Sequence, residues 1–282
     1  MTLAATGNLV AAAVRDGAAV LAFNVITLEH AEGIVAGLED SGAPGILQVS
    51  ENAVRYHEGR MTALVAACRE IAVAARVPVS LHLDHVQDVD LARQVVDQAW
   101  RLGITSVMVD AAHLDYADNV ATTRDLTRSA HDTTLWVEAE LGAIGGKDGA
   151  HAPGVRTDPY EAASFVAATG VDGLAVAVGS SHAMTSTTAE LDLDLVERIA
   201  AEVPVPLVLH GSSGVPSAML RDAVARGIRK INVGTALNVG YTRQVRDFLD
   251  ANDGVTDPRK YLAPARGAVR DAVDRLCTQV FA

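Results

Sequence analysis

His82-Leu83-Asp84-His85 closes the apolar run Val77-Pro78-Val79-Ser80-Leu81 and sets an imidazole beside a carboxylate where a buried strand should meet solvent. His182 and His210 close two later apolar runs in the same way. Three neutral imidazoles delivered from three strand ends suit a catalytic Zn²⁺ with an open fourth position, and the carboxylate next door could move protons. Alternation along a strand aims Asp84 and His85 at opposite faces, so a twist or bulge has to turn both toward one place. His82 either faces away from His85's partners or supports the site by hydrogen bonding. His30, His57, His113 and His131 fall in predicted helices or loops and read as surface or capping residues.

The elements that would carry these side chains recur at roughly 30-residue intervals, the size of a strand-plus-helix unit. Strands are predicted near 19–26, 45–50, 77–85, 106–111, 135–142, 173–179, 206–211 and 230–235. Ala-rich segments with helical periodicity lie between them, at 29–41, 60–75, 88–101, 116–131, 159–169, 192–202 and 216–226, and helices follow at 236–251 and 264–280. The strands are almost continuously apolar, as expected where both faces are covered. Eight of them alternating with helices predict an α/β fold, a TIM (β/α)8 barrel with extra N- and C-terminal helices, forming one domain over residues 1–282. A doubly wound open sheet would bring a Gly-rich fingerprint after the first strand, and Phe23-Asn24-Val25 has none.

In a barrel the strand C-termini converge on one mouth. They carry Asn24, Gln48 and Ser50, then His82, Asp84 and His85, then Glu138 and Glu140. Later strands add Ser180 to His182, His210 to Ser213, Asn232 and Thr235. His210-Gly211-Ser212-Ser213-Gly214 and Asn232-Val233-Gly234-Thr235 each precede a predicted helix, which suits an anion held by backbone amides. Residues 142–158, rich in Gly and Pro, read as a lid over that mouth, and His151 within it has no assigned role.

The formal charge of −12 argues against nucleic acid or an anionic membrane as partner. It does not exclude a small phosphorylated molecule. Cys68 and Cys277 are isolated and read as free thiols of a reducing, cytoplasmic compartment. The opening residues read as a helix, interrupted by Arg15 and Asp16, rather than as a secretion signal.

With these residues in place the chain resembles the class II, zinc-dependent fructose-bisphosphate aldolase family, tagatose-bisphosphate members included. The resemblance rests on AFNV at 22–25, QVSENAVRYHEG at 48–59, HLDH at 82–85 and VEAELGAIGG at 137–146. It continues through AVGSSHAM at 177–184, LVLHGSSG at 207–214, KINVGT at 230–235 and DPRKYLAPAR at 257–266. It implies reversible aldol cleavage of a ketose phosphate to dihydroxyacetone phosphate and an aldehyde. By the same resemblance His85, His182 and His210 bind the zinc, Glu140 holds a displaced metal, and Asp84 is the acid/base on the C4 hydroxyl. Asn24 orients the ketose, Ser50 joins the substrate site, and Gly211, Ser213, Asn232 and Thr235 hold the phosphate. The backbone near Gly179 and Ala183 assists, in some members with Na⁺ or K⁺. Family members are dimers or tetramers, so a homo-oligomer is expected.

The departures concern the substrate. The family Glu that protonates the cleaved fragment is matched by Asp148, one methylene shorter. Ala183 stands where the family often has Gly, and Gly234, Ala236 and Asn238 stand where fructose-bisphosphate enzymes carry acidic and basic residues. Arg259 is the remaining candidate for a distal phosphate, reached across a subunit interface. A Schiff-base aldolase would need a lysine inside the barrel, whereas Lys147 falls in the lid, Lys260 in the C-terminal tail and Lys230 at the start of the eighth strand, away from the mouth. A zinc hydrolase would open with a His-x-His pair on the first strand, where this chain has Phe23-Asn24-Val25. A non-catalytic sugar-phosphate-binding barrel would have no use for Asp84 beside the histidines.

Overall fold

A computed structural model describes residues 3–141, 156–180 and 188–281. Its eight strands are β1 (Val20–Asn24), β2 (Gly45–Ser50), β3 (Val79–Val86), β4 (Ser106–Val109), β5 (Trp136–Glu140), β6 (Gly173–Ala175), β7 (Leu207–Leu209) and β8 (Ile228–Val233). They pair in parallel in chain order, and β8 returns to β1, closing a barrel. The helices are α1 (Thr6–Asp16), α2 (Leu28–Ser41), α3 (Glu51–Tyr56), α4 (Met61–Ala74), α5 (Val89–Leu102) and α6 (Tyr116–His131). The chain continues through α7 (Pro159–Thr169), α8 (Leu193–Glu202), α9 (Ser217–Arg226), α10 (Thr235–Asp250) and α11 (Arg259–Phe281). The expected (β/α)8 barrel with additional terminal helices is the observed architecture.

Local chemistry sets the boundaries. In α5, Asp88 accepts from the N–H groups of Asp90 and Leu91, and Gly103 ends the helix at φ 73°. Between those caps Leu91, Ala92, Val95, Val96, Ala99 and Leu102 are buried, one apolar stripe against the sheet. Helix α3, absent from the periodicity, is a single short segment capped by Ser50, whose Oγ accepts from Ala53 N at 3.2 Å. Strands β6 and β7 are shorter than expected, three residues each, because the chain leaves the ladder to form the loops of the mouth.

The N-terminal end of the barrel holds apolar clusters beside α1. Val10 of α1 packs with Val20, Ala22 and Ile46, while Met108, Ala175 and Val208 form a neighbouring cluster, and Trp136 lies against both groups. A side chain at Gly173 would place its Cβ 2.5 Å from the Trp136 ring, so the indole requires glycine there. Helix α2 is equally tight against α11, since a Cβ at Gly37 would lie 2.5 Å from the Arg270 carbonyl oxygen.

Strand β3 carries the irregularity that its sequence demands. Leu83 pairs with Val107 and Val86 with Val109, so three steps on β3 oppose two on β4. The extra residue is accommodated at His85, which has φ 50°. A bulge of this kind re-aims one side chain without ending the strand. It turns His85 toward the same space as Asp84.

Candidate metal centre and catalytic carboxylate

The bulged His85 meets His210, from the end of β7, edge to face with ring centroids 4.7 Å apart. His85 Nε2 and His210 Nδ1 are 2.9 Å from each other. Each imidazole is held from behind by a carboxylate: His85 Nδ1 by Asp110 Oδ2 at 3.0 Å, and His210 Nε2 by Glu138 Oε1 at 2.7 Å. A carboxylate on the outer nitrogen fixes that nitrogen as the donor and leaves the inner one as a lone pair for a metal. Zinc at Zn–N distances of about 2.0–2.1 Å draws two such nitrogens to roughly 3–3.5 Å of each other. The donor set therefore fits a divalent cation. Asp84, His85 and His210 each offer an atom within 4.8 Å of the other two, and so do His85, Asp110 and Glu140.

The electrostatics agree. Burial alone would depress the His85 imidazole, yet Asp84, the Asp110 hydrogen bond and Glu140 together bring it up to about 10. Burial pushes the Asp110 carboxyl up, but its hydrogen bond to His85 and the imidazole charge outweigh this and leave it below the usual carboxylate range. Three carboxylates around one imidazole form a pocket that favours positive charge.

Asp84 sits on a lattice of amides. Asn24 Nδ2 donates to its Oδ2 at 3.2 Å and Asn232 Nδ2 to its Oδ1 at 3.3 Å, with Gln48 Nε2 3.5 Å from Oδ2. Gln48 also donates to Asn24 Oδ1 at 2.8 Å, and Lys230 to Asn232 Oδ1 at 2.6 Å, so both asparagines are oriented by a second donor. Lys230 is fully buried and paired with Glu138 at 2.8 Å. The expectation that it lies away from the site is corrected: as an interior residue of β8 it supports Glu138 and Asn232.

The loops after β6, β7 and β8 carry the glycines and hydroxyls where an anion site is expected. Gly211 adopts φ 65° and Gly179 φ 122°, and a Cβ at Gly179 would fall 2.3 Å from the Glu190 carbonyl oxygen. Ser213 Oγ accepts from Ala236 N at 3.1 Å, which ties the β7 loop to the first turn of α10. That turn begins at Thr235 and has no acidic residue; Ala236 N–H is given to Ser213 Oγ and Leu237 N–H to the Gly234 carbonyl.

Other assignments are met less directly. Ser50 serves as the α3 cap. Arg259 is exposed at the start of α11, its guanidinium engaged by Asp257 at 2.8–3.0 Å. His182, Ala183, Asp148, His151 and Lys147 lie outside the described residues, as does most of the expected lid. His30, read as a surface or capping residue, is buried and stacks on Tyr241 at 4.6 Å. His82 takes the supporting role, with Nδ1 2.8 Å from Ser106 Oγ. Sequence reasoning missed Asp110 and the task of Glu138. Asp110 ends the run Ser106-Val107-Met108-Val109, so the strand-end rule that found Asp84 would have found it too.

The sequence model for the family described as "Fructose-bisphosphate aldolase class-II" matches residues 4–282. The "Fructose-bisphosphate aldolase" of Staphylococcus aureus is 37% identical over 277 residues, covering 97% of this chain and 95% of that protein. That of Staphylococcus epidermidis is 37% identical over 278 residues with the same coverage. Among solved structures, the YdjI aldolase from Escherichia coli K12 superposes with a TM-score of 0.83 at 28% identity, covering 99% of this chain and 97% of that one.

Proposed function

Since the chain belongs to the class II fructose-bisphosphate aldolase family, a family of aldehyde-lyases, we propose that it reversibly cleaves a ketose (bis)phosphate, of the fructose 1,6-bisphosphate kind, to dihydroxyacetone phosphate and an aldehyde. The observation that carries this reading is the pair of carboxylate-backed imidazoles, His85 and His210, 2.9 Å apart beside Asp84. We assign the zinc to these two with His182, and a displaced metal position to Glu140. Zinc bound there would polarise the ketose carbonyl and stabilise the negative charge left on the three-carbon fragment.

The chain's own residues do the rest. Asn24 orients the ketose at the mouth of β1. Asp84, held by three side-chain amides, takes the C4 hydroxyl proton. The C4 oxygen becomes a carbonyl, the C3–C4 bond breaks, and its electron pair stays on C3. An acid must then protonate C3, and Asp148 is the assigned donor. Gly211, Ser213, Asn232 and Thr235 anchor the phosphate with the backbone near Gly179 and Ala183 and a monovalent cation, Na⁺ or K⁺. Ser50 and Arg259 complete the proposed substrate contacts, Arg259 from across a homodimer or homotetramer interface. We take residues 1–282 as one catalytic unit acting in the cytoplasm. No helix among the described residues is long and apolar enough to cross a membrane.

A second reading, an aldolase for tagatose bisphosphate or a ketose monophosphate, is favoured by the distal end of the site. Asn238 is a neutral amide, bonded to His30 at 3.2 Å, and the Arg259 guanidinium is already paired with Asp257, which weakens the case for a second phosphate. Release of dihydroxyacetone phosphate from a panel of phosphorylated ketoses tests both readings. A preference of about tenfold or more in kcat/KM for fructose 1,6-bisphosphate would exclude the second. Replacing Asp84 by Ala should abolish cleavage while zinc stays bound, and unchanged turnover would overturn its role.

A further inference from the structure

Beneath Asp84, on the same face of β3, His82 is completely buried. Its Nδ1 is 2.8 Å from Ser106 Oγ. The Ser106 hydroxyl donates to Thr6 Oγ1 at 2.7 Å, and Thr6 donates to Ser80 Oγ at 2.9 Å. Thr6 is the first residue of α1, the helix that caps the N-terminal end of the barrel, and its amide is bonded to Thr105 Oγ1 at 3.1 Å. A line of hydroxyls thus runs from the far end of the barrel to the imidazole under the catalytic carboxylate.

The proton count along this line fixes the ring. A serine hydroxyl has one proton to give. Ser106 gives it to Thr6, so its oxygen accepts from His82, and Nδ1 carries the hydrogen. Burial, reinforced by the nearby Lys230 charge, keeps the imidazole neutral. Nε2 then presents a lone pair. It makes no hydrogen bond among the described residues and lies 4.0 Å from Asp84 Oδ1 and 3.9 Å from Glu138 Oε2. The opposite tautomer would turn an N–H toward Asp84 Oδ1 and Glu138 Oε2, 4.0 and 3.9 Å away, and that positive edge would weaken Asp84 as a proton acceptor.

We propose that His82 is a positioning residue for Asp84, locked in its Nδ1–H tautomer by the Ser106–Thr6 hydroxyl chain, so that the carboxylate is bound only by neutral amides and remains a strong acceptor for the substrate hydroxyl proton. This rests on Asp84 being the base. The geometry also makes α1, remote from the mouth, part of the apparatus that orients the site.

Ring ¹⁵N and ¹³C NMR of histidine-labelled protein, with the His82 signals assigned by H82F, reads the tautomer directly. Wild type should show Nδ1–H. S106A and T6V should both shift the ring toward Nε2–H. In metal-loaded protein they should lower kcat about tenfold or more with KM and zinc content unchanged, and S106T and T6S should restore ring and rate together. T6V, at the far end of the chain, carries the test alone if S106A does not fold. An Nε2–H ring in wild type, an unmoved tautomer in the variants, or a switched tautomer with kcat within about twofold of wild type would each overturn the proposal. D84N, measured in parallel, separates the two readings: turnover in D84N removes Asp84 as base, whereas an inactive D84N with unaffected S106A and T6V removes only the role of His82.

Discussion

Asp110 holds His85 from behind and so decides which nitrogen His85 presents. Its Oδ2 receives Nδ1 at 3.0 Å and a second hydrogen bond from Gln87 Nε2 at 3.1 Å. Gln87 is itself fixed by Glu51 of α3, which accepts its backbone N–H at 2.6 Å. Outer partners of this kind commonly govern metal affinity by about 10–100-fold. Replacing Asp110 by Asn should weaken zinc binding within that range, measured by competition with a chromophoric chelator, while the fold measured by circular dichroism is unchanged. An affinity equal to wild type would show that the Asp110 contact is incidental.

At the scale of elements, the bulge in β3 and the contacts of α2 are the informative features. A non-glycine residue in the left-handed region costs about 1–3 kcal/mol, and His85 accepts that cost to share a space with Asp84. Against α11, α2 has no room for a methyl group at Gly37. The G37A variant should lose about 1–3 kcal/mol of stability in a urea titration, because Val273 and the Arg270 carbonyl must retreat. Helix α2 also carries His30, stacked on Tyr241 of α10 and bonded to Thr27 and Asn238. Burial lowers the His30 pKa from 6.5, against the opposing pull of Asn238. The native state therefore stays neutral at pH values where the unfolded chain has bound a proton, and stability is lost as pH falls below about 6.5. The stability advantage of wild type over H30Q should be greatest near neutrality and shrink between about pH 7 and about pH 5. A gap independent of pH would contradict this.

For the whole molecule, the formal charge of −12 coexists with a site that we propose takes a phosphate. Local groups around Gly211 and Thr235, rather than net charge, would make this compatible. The carboxylates of Asp84, Asp110 and Glu140 around His85 favour a cation there. Chelator-treated protein should lose aldol cleavage and recover it on addition of a divalent ion. Bound metal should raise the melting temperature in proportion to its free concentration on a logarithmic scale. Persistent turnover after exhaustive chelation would overturn the metal-dependent reading.

The sequence by itself determined the barrel, because eight apolar runs at regular spacing have few other ways to be buried, and it determined which strand ends are polar. It therefore made Asn24, Asp84, His85, His210 and Asn232 legible as neighbours. The tertiary structure alone decided how they are aimed. Alternation along β3 separates Asp84 from His85, and only the register shift against β4 reunites them. In the linear order Lys230 reads as remote from the mouth, and Glu138 and His82, though at strand ends, have no identified partner. Lys230 and Glu138 become a buried pair because closure of the sheet brings β5 and β8 across a common interior, and His82 finds Ser106 on β4, since a buried polar group there finds its partner on another strand.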